Sequence, residues 1–250
     1  MSIQSEIERI NGNVASAYTA LSAKGATMPS LRNTANLASA IESIQAGEAM
    51  SIDVIREICG WVDTGLPKGY VLLNYLQGTG SAYINLGFNP NQKSRIVVDT
   101  EAVATSSHSS PFGSRTASSA QFFAFMYNGS ATSPWQGRWG PTNYGGAVRP
   151  NVGRSTLDLS ANGFSVNGET VAVNSATFSI NYPVYLFGDN NTGNFEYPYY
   201  GKIYACQLYD NGTLVRDCVP CINPSGMYGM YDKVNGQFYG SSGSGSLNGA

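Results

Sequence analysis

The stretch Tyr199–Pro220 reads YYGKIYACQLYDNGTLVRDCVP and predicts a β-hairpin. Its first half alternates with a period of two, the pattern of a strand with an inner and an outer face, and Tyr204, Cys206 and Leu208 share the face that we expect in a core. The DNG sequence at 210–212 follows, where Asn and Gly tolerate the positive φ of a tight turn. The next residues return as the partner strand, so we expect this hairpin at the centre of a β-sandwich.

The composition is typical of a turn-rich β protein with a neutral polar surface. The chain has 250 residues, of which 42% are hydrophobic and only 12% are charged, about half of the usual ~25%. It contains 29 Gly and 16 Tyr, and its formal net charge is −2. Because no basic patch stands out, the sequence does not support binding to nucleic acid or to anionic lipid.

The sequence also bears on where the protein is made. The N-terminus MSIQSEIERINGN has neither the basic region nor the apolar core of a signal peptide. No stretch approaches the ~20 apolar residues of a membrane span. We therefore expect assembly in the cytosol, without a membrane partner.

A Pro/Gly-rich break at 63–69 divides the chain into a helical part, residues 1–64, and a β part, residues 65–250. The β part holds more than ten short apolar runs, separated at roughly 8–12 residues by turn signals such as Asn-Gly. Such spacing without intervening helices predicts a sandwich or jelly roll.

We predict the local structure of four segments of the β part. The Ser-rich segment 105–120 and the polar segment 189–194 predict surface loops, and the Gly/Ser-rich tail 241–249 predicts a loosely held end. The segment 121–127, QFFAFMY, is apolar on both faces, as expected of a strand buried within a sandwich.

The N-terminal helix carries apolar residues at heptad spacing, which predicts self-association. Ile at d positions disfavours a two-stranded coil and favours three or more strands, so a homotrimer is expected. The alternative is a single amphipathic helix packed on its own domain. Further helices are predicted at about 31–46 and 50–61. The residues assigned to the oligomer seam are Ile3, Ile7, Ile10, Val14 and Leu21, together with Ala17.

The four cysteines and one histidine do not form a metal site in the sequence. A structural zinc site needs about four N or S ligands, and the chain offers one CxxC at 218–221, an isolated Cys59 and Cys206. Asp189-Asn190-Asn191 supplies only one carboxylate for calcium. We therefore expect no metal and no cofactor, and we expect small half-buried thiols in a reducing compartment, with the pairing of Cys206 and Cys218 left open.

Two stretches of the β part resemble concanavalin A-like, laminin-G-like sandwich domains: Leu66–Asp99 resembles their opening and Gly201–Gly240 their close. Leu31–Ile44, behind a short helix, is similar to the head of many bacteriophage tail, fibre and head-decoration proteins. The resemblance implies a virion protein, oligomeric and docked to other virion proteins by its N-terminal helices, with a jelly-roll head that binds host-surface carbohydrate.

The sequence does not support catalysis. A glycosidase needs two carboxylates across one bond, and no strand of the β part reads Glu-x-Asp-x-x-Glu. The single histidine, His108, lies in SSHSS, where no nucleophile and base can be assembled around it. We therefore expect a protein that is not an enzyme.

Glycan binding is the remaining function with candidate residues. Sugars pack on aromatic faces while Asn, Asp and Arg bond their hydroxyls. A bacterial surface lectin and a ligand-free capsid decoration protein are the alternatives. The candidates lie in two stretches and are Trp135, Arg138, Trp139, Asn143 and Tyr144 in the first, with Asp189, Asn191 and Tyr197 in the second.

Overall fold

The computed structural model describes residues 3–43, 65–102, 108–116, 121–127, 135–145 and 153–250, with the backbone alone for 142–145. The predicted third helix, 50–61, lies outside the described residues. Contacts divide the chain into two compact units, Met1–Thr64 and Gly65–Ala250.

The first unit contains two helices, α1 (Ile3–Ala23) and α2 (Thr34–Glu42). The second helix begins three residues later than predicted because Asn33 caps it: the Asn33 backbone is extended, and its side chain accepts a hydrogen bond from the Asn36 backbone N–H at 3.0 Å. Such a cap satisfies one of the free N–H groups at a helix start.

A small core joins the two helices. Tyr18 and Leu21 of α1 are fully buried with Ala40 of α2, and Val14 packs against them. The C-terminal half of the predicted oligomer seam is therefore used within the chain. This corrects the assignment of Leu21 to a seam between copies, because the chain reverses direction at Gly25 and α2 covers that side chain.

The N-terminal half of α1 has a different environment. Ile3, Ile7 and Ile10 are 84%, 47% and 43% exposed. Within the described residues, this stripe has no apolar partner of its own among the buried clusters.

In the described residues of the second unit, the regular elements are strands alone, joined by turns and loops. In chain order they are β1 (Val71–Leu72), β2 (Leu76–Gly78), β3 (Ile84–Asn85), β4 (Ser94–Ala102), β5 (Ser109–Arg115), β6 (Phe122–Tyr127), β7 (Trp135–Gly140), β8 (Thr142–Gly145), β9 (Gly153–Ser160), β10 (Gly163–Val166), β11 (Glu169–Val171), β12 (Tyr185–Leu186), β13 (Asp189–Asn191), β14 (Asn194–Glu196), β15 (Lys202–Asp210), β16 (Thr213–Ile222), β17 (Tyr228–Asp232), β18 (Gln237–Gly240) and β19 (Leu247–Gly249).

These strands form two sheets. The larger has the order β11-β10-β9-β4-β15-β16-β17-β18, with β1 beside β16 and β2 between β15 and β19. The smaller has the order β14-β13-β5-β6-β7-β8, with β12 joining β3 to β5. One apolar core is drawn from both sheets, so the predicted mainly β sandwich, preceded by helices, is confirmed.

Aromatic side chains fill the space between the sheets. The ring of Phe125 on β6 meets that of Phe164 on β10 edge-on, with centroids 5.6 Å apart. Gly137 on β7 lies directly under Phe164, where any Cβ would overlap the ring. The smaller sheet can approach the larger one this closely only because residue 137 has no side chain.

The hairpin of β15 and β16 lies at the centre of the larger sheet, as predicted. One of the three residues predicted for its core face, Tyr204, lies on the other face. Cys206 and Leu208 are buried, whereas Tyr204 lies on the outer face, donating a hydrogen bond to Glu101 at 2.5 Å. A register shift between Ile203 and Ala205 inserts an extra residue and moves Tyr204 out of the core face.

Three of the segment expectations are wrong and one is confirmed. The Ser-rich segment contains strand β5, buried along most of its length. The segment 189–194 contains β13 and the start of β14, which pair with each other. The tail returns as β19, which pairs with β2 and buries Leu247. Strand β6 is buried on both faces, as predicted.

The cysteines of the sandwich are more deeply buried than predicted. Cys206 and Cys218 are directly opposite each other on β15 and β16, and both are free and fully buried, as is Cys221. Burial raises the pKa of Cys206 and Cys218. Among the described residues no group of His, Cys, Asp and Glu side chains is arranged to hold a metal ion.

Neither of the described helices is both long and apolar enough to cross a membrane.

Candidate functional site

Unsatisfied polar atoms concentrate in one region of the sandwich. In the part of the chain that the structure describes, eight buried side-chain N or O atoms have no hydrogen-bond partner. Five of the eight belong to four residues on the smaller sheet: Arg115 Nε, Arg138 Nε, both Asp189 oxygens and Asn191 Oδ1. Buried polar groups are almost always satisfied in native proteins, so such a concentration needs an explanation.

The strand register explains why these residues meet. Asp189 on β13 is opposite Gly113 on β5, Gly113 is opposite Ala124 on β6, and Ala124 is opposite Arg138 on β7. Neighbours in such a row point to the same face of a sheet. The two small residues leave room above the sheet, and the Asp189 carboxylate occupies the space over Gly113 where a Cβ would lie.

Arg115 brings two acidic residues together one row away. Its Nε lies 3.0 Å from Asp189 Oδ2, and its Nη2 pairs with Glu196. Since the Nε–H does not point at the Asp189 oxygen, the first contact is an ion pair and not a hydrogen bond. The Arg115 guanidinium also covers the ring of Tyr197, 5.3 Å from the centroid. Asn191 donates from Nδ2 to Glu196 Oε1 at 2.9 Å.

We call Arg115, Arg138, Asp189, Asn191, Glu196 and Tyr197 the charged cluster.

Asp189 is the most perturbed residue of the charged cluster. Its side chain is fully buried and neither oxygen receives a well-aligned hydrogen bond. Desolvation raises its pKa from 3.8 to about 6, against the opposing effect of the nearby charges of Arg115 and Arg138. Perturbed carboxylates of this kind are enriched at functional sites.

Arg138 reaches the same region from the other side of the row. Its guanidinium carbon lies 5.3 Å from the centroid of the Phe122 ring. Burial lowers the pKa of Arg138, and the charge of Asp189 acts in the opposite direction. Its Nε–H is a strong donor that the described protein groups do not satisfy.

The backbone around Asp189 is strained. Phe187, Thr192 and Tyr197 have φ values of +66°, +54° and +52°, a region that is unfavourable for bulky or β-branched residues. Backbone strain of this kind costs of order 1–3 kcal/mol per residue and concentrates at functional sites. The β13–β14 hairpin thus holds Asp189 and Glu196 in place at the expense of local strain.

The structure brings together residues from both predicted glycan stretches. Arg138 from the first and Asp189, Asn191 and Tyr197 from the second belong to the charged cluster. Two members were not predicted, Arg115 and Glu196. Arg115 was missed because it lies in the segment taken for a Ser-rich loop, and the Ser, Pro and Gly residues of SSPFGSR do not distinguish a strand from a loop.

The two tryptophans do not belong to the site. Trp135 and Trp139 are 0% and 1% exposed and their rings pack in the core between the sheets. This corrects the predicted stacking platform: alternation along β7 turns both indoles inward and leaves Gln136 and Arg138 outward. Asn143 and Tyr144 lie on β8, opposite Arg138 and Gly137 in the register.

A polar depression of about 320 Å³ lies on the larger sheet, away from the charged cluster. It is lined by Arg95 and Asp158, with Ser160, Asn162 and Thr170 nearby. The Arg95 guanidinium is already paired with the Asp158 carboxylate at 2.7 Å. The two charged residues that line this depression are paired with each other, so it is the weaker candidate.

Comparisons with known proteins give only distant likenesses. No family model matches the chain, and no curated protein is similar to it. Among solved structures, the IT-sialidase CBM40 of Ruminococcus gnavus has 19% identity and a TM-score of 0.40 over 58% of this chain and 91% of that one. A candidate carbohydrate-binding protein from Bacteroides ovatus has 12% identity and a TM-score of 0.43 over 72% and 60%.

The NanB sialidase of Streptococcus pneumoniae, as its K499G mutant, has 14% identity and a TM-score of 0.39 over 58% of this chain. The matched part spans only 27% of that sialidase. At TM-scores below 0.5, the ligands of these proteins do not carry over to this chain.

Proposed function

We propose that this chain is a non-enzymatic carbohydrate-binding protein and that the charged cluster holds the glycan. The observation that carries the proposal is the presence of five unsatisfied buried polar atoms in one cluster. They include both N–H donors and oxygen acceptors; Arg115 Nε lies 3.0 Å from Asp189 Oδ2, and the Tyr197 ring lies under the Arg115 guanidinium. A sugar hydroxyl donates and accepts at once, and C–H faces of a sugar pack on aromatic rings.

The environment of the two carboxylates favours binding over hydrolysis. Asp189 is fully buried, and both Asp189 and Glu196 are tied to the same guanidinium of Arg115. A glycosidase needs one carboxyl group to deliver a proton and another to attack or activate water. Because Asp189 is buried, Glu196 is the single carboxylate of the cluster that a ligand can reach, whereas hydrolysis needs two. His108, exposed just before strand β5, is not a member of the charged cluster.

We also propose that the protein is a bacteriophage virion component that is assembled in the host cytoplasm, on the sequence resemblance of Leu31–Ile44, Leu66–Asp99 and Gly201–Gly240. In this role the N-terminal helices attach the sandwich to other virion proteins and to further copies. The exposed stripe of Ile3, Ile7 and Ile10 favours such an attachment, because exposed apolar stripes mark association surfaces. A bacterial surface lectin would use the same charged cluster, and a ligand-free decoration protein would not.

Glycan-array binding by the full chain tests the glycan proposal. We expect binding that Arg138→Ala abolishes. Arg95→Ala is the matched control, because Arg95 also covers an aromatic ring, that of Tyr209 at 5.1 Å, but on the larger sheet. Binding to no glycan, or binding that Arg95→Ala removes and Arg138→Ala leaves intact, would contradict the proposal.

Sedimentation at micromolar concentration tests the self-association proposal. We expect a trimer that Ile7→Gln converts to monomer, while Ser22→Gln on the exposed surface of the same helix leaves the trimer intact. A monomeric parent protein would exclude the seam.

A further inference from the structure

We propose that the charged cluster selects a neutral, polyhydroxylated sugar over one that bears a carboxylate or sulfate group. The inference rests on the proposed glycan-binding function and specifies its ligand class.

The charged cluster contains equal numbers of positive and negative side chains. It contains two guanidinium groups, Arg115 and Arg138, and two carboxylates, Asp189 and Glu196. The charged groups that act on Asp189 are these other three and no further one among the described residues. The formal charges therefore cancel. An anionic ligand gains no net attraction from a balanced cluster, whereas a neutral ligand loses nothing.

The two arginines differ in how their positive charges are compensated. Arg115 lies between the two carboxylates and contacts both, so its charge is already compensated. Arg138 has one buried N–H without a partner among the described residues, and the carboxylate whose charge acts on it is the buried Asp189. A ligand carboxylate that paired with Arg138 would approach the negative charge of Asp189, which raises the free energy of the pair.

The charged cluster contains both a hydrogen-bond donor and a hydrogen-bond acceptor that the described protein groups leave without a partner. Arg138 Nε is the donor and Asn191 Oδ1 the acceptor, both buried, so a ligand hydroxyl bonds them only by entering beside them. Glu196, whose side chain is 37% exposed, is the carboxylate that a ligand can reach, while the fully buried Asp189 pairs with Arg115. A pair of neighbouring hydroxyls satisfies a donor and an acceptor together, but a carboxylate or sulfate supplies acceptors only.

The aromatic surroundings fit the same class of ligand. Tyr197 is partly exposed beneath the Arg115 guanidinium and follows Glu196 in the sequence. An uncharged pyranose ring can pack its C–H face on such a ring while its hydroxyls reach the polar groups.

The experiment is calorimetric titration of the full chain with matched pairs of oligosaccharides. Each pair ends in a neutral hexose or in the corresponding uronic acid, and each is measured at low and high NaCl. We expect the neutral member to bind at least about tenfold more tightly, with an affinity that changes less than about twofold with salt. Tighter binding of the uronic acid, with affinity that falls as salt rises, would overturn the inference while supporting glycan binding.

Failure of the function itself gives a different result. If neither member of any pair binds, the proposed glycan-binding function is wrong and this inference falls with it.

A charge variant provides the second readout. Glu196→Gln leaves the cluster with one uncompensated positive charge, and we expect the preference for the neutral sugar to fall by about threefold to tenfold. Asp158→Asn is the matched control, since it removes a partly exposed carboxylate paired with an arginine on the larger sheet. An unchanged preference in Glu196→Gln, in a variant with parental melting temperature, would overturn the inference.

Discussion

Replacing Asp189 with Asn is expected to change how the stability of the sandwich depends on pH. Asp189 is fully buried, and desolvation raises its pKa in the folded protein from 3.8 to about 6. A folded-state pKa above the unfolded value means that the native state binds the proton more tightly. The stabilisation from this proton is fully present below pH 3.8 and is lost as pH rises through about 6.

The expected magnitude follows from the size of the rise. At about 1.4 kcal/mol per pKa unit, the full effect is ~3 kcal/mol, and about 2 kcal/mol of it falls between pH 4 and pH 7. The amide introduced by Asp189→Asn has nearly the same shape as the carboxyl group but does not titrate. The free energy of unfolding of the parent, relative to Asp189→Asn, should therefore fall by about 2 kcal/mol from pH 4 to pH 7.

Urea unfolding of both proteins at pH 4, 5, 6 and 7 measures this difference. Groups that titrate alike in the two proteins cancel, and Asp158→Asn controls for the loss of a partly exposed carboxylate. A difference between parent and Asp189→Asn that stays constant with pH would refute the reasoning. So would a difference of the opposite sign, in which the parent gains stability relative to the variant as pH rises.

Three further predictions concern the rest of the fold. Gly137→Ala places a methyl group against the ring of Phe164 and should lower the unfolding free energy of the sandwich by about 1–3 kcal/mol, as measured in urea; no change would show that the sheets can separate there. Leu21→Ala should destabilise the helical unit by about 2–5 kcal/mol, seen as earlier loss of helical circular dichroism on heating. Cys206 and Cys218 are buried with raised pKa values, so peptide mapping after iodoacetamide at pH 8 should find both unmodified until the protein is unfolded.

The alternation of apolar residues made most of the sandwich predictable. Strand β6 is a case in point, because a run that is apolar at every position fits only a strand covered on both faces. The central hairpin was predictable from its Asn211-Gly212 turn, where both residues adopt positive φ. Both predictions depend only on neighbouring residues in the sequence and on no distant contact.

Features that depend on contacts distant in sequence were not predictable. The bulge near Tyr204 reverses which side chain faces the core, and it results from pairing with β4, about a hundred residues away. Strand β5 contains Ser, Pro and Gly, which are typical of loops, yet its neighbours β6 and β13 hold it inside the sheet. The pattern of residues within β5 carries no sign of these partners.

The candidate site shows the same division. The polar residues of the second predicted stretch were recognised by type, but their meeting with Arg138 depends on the strand order β13-β5-β6-β7. The tryptophans were assigned to the wrong environment because a Trp side chain suits a ligand platform and a core equally well. The face of β7 on which each indole lies decides between the two, and residue type does not reveal that face. Arg115 and Glu196 became candidates only through their ion pair.

Arginine side-chain NMR tests most directly whether a glycan contacts the arginines of the charged cluster. The Nε–Hε resonances of Arg138 and Arg115 are followed while a glycan that binds on the array is titrated into the full chain. We expect saturable shifts of these two resonances, while those of Arg95 and Arg154 on the larger sheet stay in place. Shifts confined to Arg95 and Arg154, or no shift at Arg138 when the glycan is saturating, would contradict such a contact.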